Sequence, residues 1–159
     1  MTVLHAAARQ HDGRTEETPS MVVIDTHLAR GAPNSGFTFH DKGGPYGRTE
    51  GTKRVVAVDV TGLPVGALVV PASTHEDRAS ELMLEHVEHQ GVTDRLDLVL
   101  WAWRVEVAHG RLGRSRRLAR SFENTTTSAT GWLQVACIAT TLRHLSRARA
   151  HRRTPQLAA

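Results

Sequence analysis

The chain has 159 residues, 40% of them hydrophobic, which fits one domain with a core of its own. A single cysteine, Cys137, excludes an internal disulfide and a cysteine-rich zinc site. No run approaches the roughly 20 apolar residues of a membrane span, and the first residues lack the apolar core of a secretory signal. These features predict a protein of the reducing cytoplasm, not of the membrane. The net charge of +4 hides an asymmetry. Residues 1–102 hold nine Lys/Arg and fourteen Asp/Glu, so about −5. Residues 103–159 hold eleven Arg, with Glu106 and Glu123 as the sole acids, so about +9. Such a field attracts a polyanion, and arginine suits planar, two-point contact with phosphate.

In chain order, residues 1–20 read as a polar lead-in. Residues 21–27, MVVIDTH, form a short apolar run and are predicted as a strand. Residues 30–52 are rich in glycine and polar groups and are predicted as a loop. Two β-branched runs follow at 53–60 and 65–71, joined by TGLP, and predict a hairpin. Ser73 or Thr74 is placed to cap a helix with Glu76 and Asp77 in its first turn. Its apolar positions Ala79, Leu82, Met83 and Val87 share one face, and Gly91 ends it. Residues 96–101 are predicted as a fourth strand. A second helix is expected over 103–120, with Val105, Ala108, Leu112 and Ala119 inward. A Thr/Ser cluster at 125–128 should cap a third helix running to about His144 or further. That helix carries Ala129, Trp132, Leu133, Ala136, Ile138, Ala139 and Leu142 and is expected in the core. Residues 147–159 read as a frayed basic tail. The order predicts an α/β fold, with three antiparallel strands and a fourth, parallel strand reached through a helix.

Two carboxylates stand where chemistry is conceivable. Asp25 lies inside an apolar strand, where a bare charge is costly to bury. An acid that caps the following turn is the plainer reading of that motif. Glu106 lies between Val105 and Val107 on an arginine-rich helix, where a surface salt bridge would be worth little. Asp59 closes the predicted hairpin and is read as a hairpin-end acid. His86 and His89, three apart with Glu85 and Glu88 beside them, have a spacing that can bind zinc, though a solvated helix face is the expectation. The glycines of DKGGPYGRTEGTKR do not follow the P-loop pattern.

VVIDTHLARG (22–31), GTKRVVAVDVTGLPVGALVVPASTHEDRASELML (51–84) and WRVEVAHGRLGRSRRLARSFENTTTSATGWLQVACIATTLRHL (103–145) together resemble bacterial insertion-sequence transposases of the DDE type. The resemblance spans most of residues 21–146 and implies a partial catalytic domain there, with a ribonuclease H-like mixed sheet. It implies three acids holding two divalent ions, usually Mg²⁺, which suit oxygen ligands. One ion would activate water or a 3′-hydroxyl and the other would stabilise the leaving oxygen. Asp25 matches the first acid and Glu106, in W-x-V-E, matches the last. Both are thereby the implied catalytic and metal-binding residues. Lys53, Arg54, Arg114, Arg116 and Arg117 fall in the family's basic stretches and are implied contacts to double-stranded DNA at the element's ends.

The match breaks at LDLVLWAWRVE, residues 96–106. The family's middle acid should end the fourth strand, yet the final helix begins at once. Asp94 and Asp97 come too early to replace it. The second acid and a fifth strand are therefore expected to be missing, through an internal deletion near 100–101. Relatives often carry Arg after the glutamate, where this chain has Val107, and an aromatic where it has Arg111. They usually carry a helical DNA-binding region before the first strand as well. The resemblance thus implies a degenerate transposase that binds Mg²⁺ poorly, or a non-catalytic DNA-binding or dimerising remnant. A lost strand would bare a sheet edge and apolar surface, with homo-oligomerisation as one consequence.

Overall fold

The computed structural model describes residues 2–15, 18–32, 49–91 and 102–153, the side chains of 102–103 and 148–153 excepted. In chain order it has helix α1 (Thr2–His11), strands β1 (Val22–Arg30), β2 (Gly51–Asp59) and β3 (Pro64–Pro71), and helices α2 (Glu76–His89), α3 (Ala102–Gly113) and α4 (Thr126–Arg153). A 3-10 turn, Arg116–Leu118, separates α3 from α4. The protein is α/β, with a three-stranded antiparallel sheet of order β1-β2-β3 flanked by helices. The fourth strand expected at 96–101, with Asp94, Asp97 and Trp101, lies outside the described residues, as does 33–48 of the predicted loop. No described helix is long and apolar enough to cross a membrane.

The central strand β2 is buried at every position. Its β-branched residues alternate between two cores, as the two-residue period of a strand requires. Val55 and Ala57 meet Ala79, Met83 and Val87 of α2. Val56 and Val58 meet Val105, Ala108 and Leu112 of α3 and Leu133 and Cys137 of α4. Each fully buried valine of this kind contributes on the order of 1.5–3 kcal/mol. The antiparallel register sets Asp25 opposite Val56 and Val22 opposite Asp59. At the start of β2 the backbones close up: a Cβ on Gly51, whose φ is +155°, would stand 2.1 Å from the Ala29 carbonyl oxygen. Only glycine fits there.

Several elements differ from expectation. The polar lead-in contains a helix. α1 buries His5, Ala8 and Arg9, so its inward face is itself polar and leaves no apolar period in the sequence. α2 is capped by His75, whose Nδ1 accepts from the Asp77 amide at 3.3 Å, rather than by Ser73 or Thr74. α3 stops at Gly113, and Leu118 is buried where Ala119 was expected to be. The Thr/Ser cap of α4 holds: Thr125 Oγ1 accepts from the Ser128 amide at 3.1 Å. α4 runs on through the expected basic tail to Arg153. It lies on β3 by one face only, so Trp132, Ile138 and Leu142, expected inside, are exposed along with Val135.

Candidate functional site

Asp25 sits in the middle of β1, and its side chain shares the sheet face covered by α3. Val23, two residues earlier, packs in the core beneath α3 and α4. His27, two residues later, points the same way. His109 of α3 comes down between them. Its Nε2 lies 3.8 Å from Asp25 Oδ2, and its ring centroid is 5.3 Å from that of His27. Arg54 of β2, opposite His27 in register, is 7% exposed. Asp25, its side chain 43% exposed, thus shares its sheet face with His27 and Arg54 and meets His109.

Electrostatics here are governed by burial. Burial pushes the His109 pKa down to about 4, overcoming the Asp25 charge that would raise it. Burial, then the Arg54 charge, lowers His27 as well. Burial brings Arg54 down to about 10, which leaves it charged. At neutral pH both imidazoles are uncharged, and 3.8 Å is too long for a hydrogen bond. His109 Nε2 is buried with no hydrogen-bond partner among the described residues. Arg54 is therefore the charged base of the cluster.

Glu106 lies on α3, one turn before His109, and is exposed. Its carboxylate pairs with no other described side chain. The helix that carries Glu106 is thus laid across the strand that carries Asp25, but it is His109 that touches the aspartate. Among the described residues, no three of His, Cys, Asp and Glu converge as a metal-binding group. Among the described residues, the neighbours of Asp25 on its sheet face are ring nitrogens and a guanidinium, whereas Mg²⁺ takes oxygen ligands.

Asp59 is the hairpin-end acid that the sequence suggests, and it is fully buried. Its Oδ1 accepts from the Thr61 and Leu63 amides at 2.8 and 3.1 Å, and from the Thr61 hydroxyl. Its Oδ2 lies 3.1 Å from His5 Nε2 and accepts from Arg9 Nη1 at 3.3 Å. Burial alone would raise its pKa. The bonds from His5, Thr61 and Leu63 outweigh burial and hold it well below the usual carboxylate range. It locks α1 to the sheet and is turned away from Asp25. His86 is half-buried with its Nε2 2.9 Å from Gln90 Nε2, and His89 is exposed.

The implied DNA contacts divide in two. Lys53 and Arg54 are buried. Lys53 Nζ donates to the Thr74 carbonyl at 2.9 Å, tying β2 to the turn before α2. A residue in the central strand of a covered sheet cannot meet a phosphate without unpacking a helix. Arg114 and Arg116 are exposed in the segment between α3 and α4. Arg117 is half-exposed but engaged: its Nε donates to Glu123 Oε1 at 2.7 Å, and its guanidinium lies 5.2 Å from the Trp132 ring and 5.9 Å from the Phe122 ring.

Between the end of α3 and the middle of α4 lies an open cleft of about 720 Å³. Arg111 and Arg114 line one wall, and Arg143, His144 and Arg147 line the other. His144 is held by Asp12, with both carboxylate oxygens 2.9 Å from its Nε2. Sequence reading missed His109, His27 and this cleft. The signals were present: His27 is two residues from Asp25 on a strand, His109 is three from Glu106 on a helix, and Arg143 and Arg147 are one helical turn apart.

No family model matches the chain, and no curated protein or solved structure matches it either.

Proposed function

We propose that this chain is a remnant of an insertion-sequence transposase catalytic domain that binds double-stranded DNA and no longer cuts it. One observation carries the reading. α3 crosses β1 so that His109, one turn from Glu106, reaches Asp25. The two residues that the resemblance singles out, more than 80 positions apart, belong to elements packed on each other. Three antiparallel strands, then a helix on one face and two on the other, agree with a ribonuclease H-like domain. In this reading the protein acts on the nucleoid in the cytoplasm.

Loss of cutting follows from the chemistry of the acids. The two-metal mechanism needs oxygen ligands on both sides of the scissile phosphate. Residues 98–105, LVLWAWRV, offer no acid for the middle position. The buried Arg54 guanidinium, on the same sheet face as Asp25, opposes a dication there. What remains is the arginine-rich second half, which neutralises phosphates whatever the base sequence.

The test is plasmid nicking in Mg²⁺ and in Mn²⁺ beside a gel-shift assay, with wild type, Asp25→Ala and Glu106→Ala. Salt-dependent shifting by all three, with no nicking by any, is the expected result. Nicking by wild type that both variants lose would mean a working metal site and would overturn the loss of cutting. Failure to shift duplex DNA at low salt would overturn the reading as a whole.

A further inference from the structure

We infer that the cleft between α3 and α4 is the phosphate seat of this protein: Arg111, Arg114, Arg143 and Arg147 grip successive backbone phosphates of duplex DNA. This rests on the DNA-binding reading above and assigns it to residues. Three features set the cleft apart. First, it is lined by four guanidiniums and no carboxylate. None of the four forms an ion pair with a described residue, whereas Arg9, Arg78 and Arg117 each meet an acid, at Asp59, Glu81 and Glu123 respectively.

Second, local sequence leaves them unpaired. α4 carries no acid anywhere along Thr126–Arg153. Arg143 and Arg147 therefore have no neighbour of opposite charge three or four residues away on their helix. On α3, Glu106 is five residues before Arg111, outside that reach. The acid at the edge of the cleft, Asp12, is spent on His144. Four like charges facing one space repel each other, and an anion between them removes that cost.

Third, the spacing fits a chain of charges better than a single one. Arg143 and Arg147 stand one helical turn apart on α4, roughly 5–6 Å between Cβ atoms, and Arg111 and Arg114 flank the end of α3 on the other wall. Duplex DNA presents a charge about every 1.7 Å of its axis. Two walls of paired guanidiniums suit a ridge of phosphates lying along the cleft. Ser115 also lines it, and its side chain caps no helix. The seat spans the last turn of α3 and the turn that follows it, and its lining includes neither Asp25 nor His109, so binding does not need the degenerate acid site.

The experiment is fluorescence anisotropy of a labelled duplex oligonucleotide over about 50–200 mM salt. The proteins are wild type, Arg143→Gln/Arg147→Gln, Arg111→Gln/Arg114→Gln, and the control Arg78→Gln on α2. Each lost phosphate contact should lower the slope of log K against log salt by about 0.9. Each double variant should therefore lose a slope of about 2 and bind on the order of tenfold or more weakly at about 0.1 M salt. The control should match wild type. The substituted side chains are exposed and glutamine keeps helix propensity, so circular dichroism should be unchanged. Wild-type slope and affinity in both double variants would overturn the seat and leave the DNA-binding reading standing. A wild type that binds no duplex would overturn both.

Discussion

Replacing Asp59 by Asn tests whether a buried charge fastens α1 to the sheet. The two side chains have nearly the same shape, so packing is preserved and only charge and hydrogen bonding change. Asparagine can keep its carbonyl toward the Thr61 and Leu63 amides, which preserves the hairpin end. Its amide group then faces Arg9 and His5, both 3% exposed, and the counter-charge of Arg9 is lost. Removing one partner of a buried pair typically costs about 3–5 kcal/mol. The lower figure applies here, since half of the contacts survive. Against a total stability of about 5–15 kcal/mol, that is a substantial fraction. Urea denaturation of wild type, Asp59→Asn, Arg9→Met and the double variant closes the cycle, and the double should cost much less than the sum of the singles. The pH dependence has a defined sign. The folded pKa of Asp59 lies below its unfolded value of about 3.9, so its stabilisation is present above pH 4 and fades as pH falls further. A loss below about 1 kcal/mol in Asp59→Asn, with additive single variants, would refute a role for this charge in docking α1.

Gly66→Ala should destabilise by about 1–3 kcal/mol in the same denaturation assay, because its Cβ would meet Val87 Cγ1 at 2.7 Å and Met83 Sδ at 2.9 Å. His109, whose folded pKa of about 4 lies below the ordinary 6.5, should make the protein less stable as pH falls from about 6.5 to 4, by up to about 3 kcal/mol. His27 adds in the same sense, and thermal melts of His109→Phe across this range should show a flatter profile. The exposed stripe Trp132, Val135, Ile138 and Leu142 should bind an apolar dye, and Trp132→Ser/Leu142→Ser should reduce that binding. Unchanged dye fluorescence in this variant would place the exposed apolar surface elsewhere.

Much of the fold is legible in the residues themselves. The β-branched runs, the TGLP turn, the acids that open α2 and the Thr/Ser cluster before α4 are local signals, and local backbone physics reads them. The hairpin and the inward faces of α2 and α3 follow from periods of two and 3.6. α1 was illegible because its buried face is His5 and Arg9, which count as polar until Asp59 of a distant strand is known to receive them. The start of α4 was legible, but its run into the expected basic tail and its inward face were not. A helix apolar on all sides gives no direction, and only its seat on β3 decides that Leu133 goes in and Trp132 stays out.

The candidate site divides along the same line. By itself the sequence determined that LVLWAWRV holds no acid and that the second half of the chain is an arginine field. These are statements about residue type and order. Tertiary structure alone decided what each charge faces. It buried Lys53 and Arg54 in the central strand, bound Arg117 to Glu123, set His109 rather than Glu106 against Asp25, and brought four arginines from the end of α3 and from α4 to one cleft. The reason is that a charge acts through its partners and its solvent. Both are set by residues far away in the chain, which no local pattern can report.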